Sequence, residues 1–141
     1  MALSLDPAFA AVLGPSGDST ETPGMASAAR GDALALRAAI DADADAAFSV
    51  LPDFETVTST RHRVDVGDAE EMEVRWYTAA DVAAGPAVVY LHGGGLIGGT
   101  LDNYEPSIKF LVDLTGVPFL HVGYRLAPEH RGISPAADAL A

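Results

Sequence analysis

The stretch Ala87 to Gly99, AVVYLHGGGLIGG, changes character within a few residues. Ala87, Val88, Val89, Tyr90 and Leu91 read as a buried strand, and the strand ends in His92 followed by Gly93, Gly94 and Gly95. Consecutive glycines put no side chain between their backbone and a ligand, and they tolerate positive φ. They therefore suit a turn whose N–H groups face an anion or a developing oxyanion. Set against a carbonyl under attack, such amides stabilise the charge that builds on its oxygen. Two other readings use the same residues. One is a tight strand-to-helix turn with no catalytic duty. The other is a dinucleotide-binding βαβ unit, since Gly93, Gly95 and Gly98 satisfy G-x-G-x-x-G after a strand. Against the latter, Thr100 to Pro106 reads as a loop and first turn, and the next strand closes on Tyr124 and Arg125 rather than on an acid.

The elements that must position this loop follow from periodicity. Asp6 and Pro7 open a short helix over residues 6–13, and Gly14 to Gly24 is a linker rich in Gly, Pro, Ser and Thr. Arg30 to Phe48 is Ala-rich, with Leu36, Ile40, Ala44, Ala47 and Phe48 on one helical face and Arg37, Asp41 and Asp45 stepping by four along another. Asp41, Asp43 and Asp45 mimic the start of a calcium loop. Ala46 stands at its glycine position and Pro52 at its closing Glu, so a solvated helix face is expected. Residues 55–66 and 72–78 alternate or are β-branched, with Gly67 and Asp68 in the turn of an antiparallel hairpin. After the glycine loop, Asp102 to Thr115 carries Tyr104, Ile108, Leu111 and Val112 on one face. Pro106 is expected in its first turn, and Gly116 ends it. Val117 to Tyr124 is a second buried strand, parallel to the first, and Pro135 begins another helix. The fold class is α/β: a helical arm over residues 1–54, then a hairpin and parallel strands with a crossover helix over residues 55–141.

Composition excludes several functions. Twenty acidic residues against eight basic ones give a formal charge of −12, which repels a phosphate backbone and excludes nucleic acid as a partner. There is no cysteine, hence no disulfide or thiolate nucleophile. His62, His92, His121 and His130 show no ligand spacing, so no metal is expected, and His121 reads as a satisfied core histidine. Trp76 and Tyr77 read as core rather than as an acyl pocket. No apolar run reaches membrane-spanning length, and the start, which has Asp6 and no basic residue before its apolar run, does not read as a signal peptide. A cytoplasmic protein is expected.

Two motifs in register, HGGGLIGGTLDNY from His92 to Tyr104 and GYRLAPEH from Gly123 to His130, resemble the hormone-sensitive-lipase-like branch of the α/β-hydrolases. The resemblance covers residues 55–141 and implies the N-terminal part of an α/β-hydrolase fold, with residues 1–54 contributing to a cap. It implies a carboxylic ester hydrolase with a serine nucleophile, a small acyl ester substrate and no cofactor. By the same resemblance, Gly94 and Gly95 supply oxyanion-hole amides, Gly93 allows the turn, His92 props the loop, and Tyr124 to Glu129 supports the site from beneath. Leu96 and Gly123 replace an aromatic and an Asp common in the family, and RGISPAADA lacks the aromatic that usually anchors the last helix. The family's nucleophile lies in G-x-S-x-G on a later strand-to-helix turn, and its acid and base follow. These 141 residues contain no G-x-S-x-G, so the chain reads as an inactive N-terminal half, truncated before the nucleophile elbow. In the family the glycine-loop strand pairs with the nucleophile strand. An open edge over Val88 to Leu91, and self-association through it, are therefore expected. A non-catalytic interaction module is the remaining alternative.

Overall fold

The computed structural model describes residues 28–67, 70–80, 82 and 85–141. The expected helix over 6–13, the linker after it and Asp68 of the hairpin turn lie outside the described residues. The first element is helix α1, Ala33–Phe48. It begins after Gly31, whose φ is +91°, and Asp32 caps it by accepting the Ala35 N–H at 2.9 Å. That cap places the start a few residues later than periodicity alone implies, because a side-chain acceptor takes an N–H that the first turn leaves unbonded.

Strands β1 (Val57–Gly67) and β2 (Glu70–Ala79) form the expected antiparallel hairpin, paired from Val57↔Ala79 to Asp65↔Glu71 with a shift at Gly67. Strand β3 (Val88–Leu91), helix α2 (Leu101–Thr115) and strand β4 (Phe119–Val122) make the strand–helix–strand unit, and β3 runs parallel to β4. Among the described residues the sheet has four strands in the order β1-β2-β4-β3, with β2 and β4 antiparallel. Alternation then sorts the side chains. Tyr77, Phe119 and Val57 pack with Ile108 and Val112 of α2, while Met72, Val74, Val122 and Tyr124 form a separate cluster. Tyr77 is fully buried, as its core reading expects. At one edge β1 is largely exposed and carries Arg61 and Arg63, charges that guard an unpaired strand. At the other, β3 leaves Val88, Val89 and Leu91 37%, 56% and 45% exposed.

Two expectations are corrected. Pro106 lies inside α2, beyond its first turn, because Thr100 caps the helix through a 3.0 Å bond from the Asn103 N–H and the helix starts at Leu101. Pro106 cannot donate to the carbonyl of Asp102, yet the helix continues to Gly116, a left-handed terminus with φ 66°. The last helix, α3 (Ser134–Asp138), is anchored without an aromatic. Asp138 is 2% exposed and accepts from the Arg125 backbone N–H at 2.8 Å and from its guanidinium at 2.7 Å. Burial opposes ionisation of this carboxyl, but the Arg125 bonds outweigh it and hold its pKa below the usual range.

The core assignment predicts an asymmetry along α2. Ile108→Ala should cost about 2–5 kcal/mol in urea unfolding, whereas Leu114→Ala, at an exposed position, should stay within about 0.5 kcal/mol.

Candidate functional site

The glycine loop leaves the C-terminal end of β3, where a parallel strand delivers its chain to the sheet's ligand-facing rim. His92 follows directly and is 5% exposed. Its Nδ1 lies 2.9 Å from the Gly93 carbonyl oxygen, so Nδ1 carries the proton and donates it. Tyr124 stacks on the imidazole with centroids 4.3 Å apart, and its hydroxyl donates to the His92 carbonyl at 2.7 Å. Burial lowers the His92 pKa and outweighs the Gly93 bond and the Asp41 charge, which favour the protonated ring. Burial, followed by the nearby Tyr104 and Tyr90, pushes the Tyr124 phenol up to about 12.

The glycines serve different ends. Gly93 is not in the left-handed region. A Cβ there would stand 2.7 Å from the Tyr104 hydroxyl, so this glycine admits a tyrosine rather than allowing the turn. The turn falls on Gly94, Gly95 and Leu96, with φ of 124°, 64° and 63°. Leu96 holds a conformation that costs an L-residue about 1–2 kcal/mol. Within the loop the Gly94 carbonyl accepts from Ile97 at 3.1 Å and Gly98 at 3.0 Å, while Leu96 O accepts from the Ala127 N–H at 2.9 Å. Ile97 O takes the Arg37 Nε–H at 2.6 Å, and the Gly99 N–H donates to Asp41 Oδ1 at 2.7 Å. Among the described residues, no acceptor takes the N–H of Gly94 or of Gly95.

Arg37 and Asp41 are thus part of the loop's surroundings, and the expected solvated face of α1 is corrected. Asp45 likewise bonds the Asn103 side-chain amide, so the Arg37, Asp41, Asp45 stripe lies against the loop and the start of α2. A helical wheel shows that these residues share a stripe, but not what the stripe meets. The reading of His121 is also corrected. It is fully buried, and among the described residues neither ring nitrogen has a hydrogen-bond partner. Tyr90 and His92 stand edge-on at 5.5 and 5.6 Å. Burial, then His92 and Arg75, push its pKa down to about 3, so it is neutral in the folded chain.

The dinucleotide reading fails: α2 begins at Leu101, beyond the glycine motif although sooner than expected, and no acid closes β4. A Cβ at Gly98 would lie 2.9 Å from Ile40, so this third glycine admits α1. The other neighbour of β4 is the antiparallel β2, not a parallel strand.

Comparison with known proteins agrees with this geometry. A family model described as the alpha/beta hydrolase fold matches residues 88–141. An ethyl acetate hydrolase of Pseudomonas putida is 41% identical over 76 residues, which is 52% of this chain and 24% of that protein. Esterase LipI of Mycobacterium tuberculosis is 33% identical over 118 residues, 78% of this chain and 37% of that one. Hormone-sensitive lipase of Bos taurus is 43% identical over 42 residues, 30% of this chain and 6% of its own. Among solved structures, a hyperthermophilic esterase of Pyrobaculum calidifontis superposes with a TM-score of 0.62 at 27% identity, covering 77% of this chain and 35% of that one. Fold, loop and matches together define part of an α/β-hydrolase. Over the segment these matches span, the chain is similar to the hormone-sensitive-lipase-like branch of that family. It spans well under half the length of these relatives. Among the described residues, no helix is long and apolar enough to cross a membrane.

His121 carries a pH prediction. Its folded pKa lies below the unfolded value of about 6.5, so its contribution to stability is intact above that value and is lost as pH falls toward about 3. Thermal unfolding at pH 7 and pH 5, a window in which ordinary carboxylates stay ionised, should show a fall in Tm that is smaller in His121→Leu. Equal slopes in the two proteins would refute the assignment.

Proposed function

We propose that His92 to Gly95 form the oxyanion hole of a serine carboxylesterase acting on esters of short acyl chains. The observation that carries this reading is the pair of adjacent amides, Gly94 and Gly95, left without an acceptor among the described residues in a left-handed turn whose downstream groups, Leu96 O, Ile97 O and the Gly99 N–H, are engaged. Attack of a serine oxygen on an ester carbonyl moves an electron pair onto the carbonyl oxygen. N–H donors fixed about 2.7–3.1 Å from that oxyanion lower the barrier without reorganising. Collapse of the tetrahedral species expels the alcohol, and water then releases the acid, so the reaction needs no cofactor. The Pseudomonas putida relative is named for ethyl acetate, and a 42% identical Emericella nidulans esterase for versiconal hemiacetal acetate. Both names describe acetate esters, which favours a short acyl group here. His92 supports the loop through its bond to Gly93, and Gly93 leaves room for Tyr104.

Within these residues the serines nearest the motifs have other employment. Ser107 Oγ donates to Tyr104 O at 2.9 Å inside α2, and Ser134 Oγ donates to Arg131 O at 3.1 Å. In this reading residues 1–54 are an arm contributing to a cap, residues 55–141 are the N-terminal portion of the hydrolase domain, and the protein works in the cytoplasm. The exposed apolar edge of β3 gives the 141-residue chain a second property, self-association.

Two measurements test this. The 141-residue polypeptide should not turn over p-nitrophenyl acetate above buffer, because proton transfer and a nucleophile are both missing. In a polypeptide carrying this loop together with a G-x-S-x-G serine, Gly94→Pro should lower kcat by about 10²–10³-fold or more, the scale of losing one oxyanion donor. Turnover by the 141-residue chain that Gly94→Pro abolishes would reveal a different nucleophile and sink the reading of these residues as an inactive portion, whereas a kcat that Gly94→Pro leaves unchanged would sink the oxyanion proposal. On size exclusion the chain should elute above monomer size, and a clean monomer peak would remove the β3 edge as an association surface.

A further inference from the structure

Helix α1 meets the glycine loop along its polar stripe, and it does so mainly through the loop's backbone. Arg37 donates from Nε to Ile97 O and from Nη2 to Ala127 O, both at 2.6 Å. The same guanidinium grips Glu129 through bonds of 2.6 and 3.2 Å. One helical turn on, Asp41 accepts the Gly99 N–H at 2.7 Å, and Ile40 occupies the space where a Gly98 side chain would stand. These contacts bracket the turn Gly94–Ile97. One sits on its last carbonyl and one on the Gly99 amide two residues past it, while the Ala127 that Arg37 also binds donates its own N–H to Leu96 O at 2.9 Å. The turn so enclosed holds Leu96 at a φ of 63°. Strain of that kind persists only where the surroundings over-determine the backbone.

We propose that Arg37 and Asp41 are positioning residues for the oxyanion-stabilising loop, and that α1 acts as a clamp keeping the Gly94 and Gly95 amides unengaged. This rests on the oxyanion reading above and adds to it where the loop's geometry is set, in a helix more than 40 residues upstream. Without its outer partners, the turn can relax toward conformations in which those amides bond inside the loop. A guanidinium fits the task because its planar fork serves two carbonyls and a carboxylate at once. A lysine ammonium on a flexible stem does not.

The test reads the loop's own amides by ¹⁵N NMR of the full 141-residue chain, so its outcome does not depend on any ester being hydrolysed. In Asp41→Ala, exchange of the Gly99 amide should quicken on the order of tenfold, the scale of a lost charge-assisted hydrogen bond. Asp41→Asn, which keeps an acceptor, should restore protection. Arg37→Ala should shift the Gly94 and Gly95 amide resonances, and Arg37→Lys should fail to return them, while the Trp76 and Leu120 amides in β2 and β4 stay unchanged. Should Arg37→Ala not fold, Glu129→Gln weakens the same clamp at an exposed residue and carries the same comparison. Gly94 and Gly95 resonances unmoved beside a lowered Tm would overturn the proposal, leaving α1 as a plain stabiliser. Exchange quickened uniformly through the sheet would overturn it too.

Discussion

A backbone amide can stabilise charge on a substrate only if the protein has not already used it. Among the described residues, the Gly94 and Gly95 N–H groups meet that condition. The loop is short and turns sharply, so its polar groups lie within reach of one another, and each one that pairs inside the loop draws the chain inward. Here the pairing is exported instead. Ile97 O goes to Arg37, the Gly99 N–H to Asp41, and Leu96 O to Ala127. The Gly94 carbonyl alone closes the turn, accepting from Ile97 and Gly98. Helix α1 and the segment after β4 therefore supply the loop's outer hydrogen-bond partners, and Tyr124 stacks on His92 at its root.

The same need for partners explains which charged groups the interior tolerates. Arg75 is 5% exposed and sits among Glu73 at 2.7 Å, Asp102 at 2.6 Å and Glu105 at 3.0 Å, with the Tyr77 hydroxyl donating to Glu105 at 3.0 Å. An arginine cannot shed its charge in a protein, so burying one demands carboxylates, and these tie the hairpin to the first turns of α2. Asp138 meets the same demand through Arg125. His121 is the contrast. It lies fully buried with no partner on either nitrogen among the described residues, and it answers burial by giving up its proton instead of recruiting a counter-ion. Arg75 and Asp138 keep their charge because counter-ions surround them, and His121, without one, stays neutral.

What could be read from the residues alone divides along the same line. The hairpin, the two parallel strands and α2 have local signatures, because burial repeats every two residues in a strand and about every 3.6 in a helix. Pro106 misled because a proline weighs heavily in any local reading, while Thr100, a cap one residue before the helix, settles where the helix starts. Arg37, Asp41 and Asp45 had a legible stripe and an illegible destination, since a helical wheel carries no information about a loop more than 50 residues away. The anchor of α3 was hidden for a similar reason. An Arg125–Asp138 pair can replace an aromatic, but only the folded chain brings the two together.

The loop's glycines show how far a motif can be recognised without being understood. As letters they are alike, and family resemblance treats them as one unit. In space, Gly93 makes way for the Tyr104 hydroxyl, and Gly98 for Ile40 of α1. A Cβ on Gly99 would stand 2.3 Å from His92 Nδ1, and one on Gly94 would stand 2.0 Å from the carbonyl oxygen of Gly98. Gly95 alone has open space at that position, and its φ of 64° is what calls for glycine there. Most of these positions are thus fixed by what approaches the backbone, from a tyrosine, a histidine, a helix and the loop itself. The proposed chemistry requires unengaged amides at Gly94 and Gly95. The remaining glycines are required by the neighbours that hold those two residues where they are.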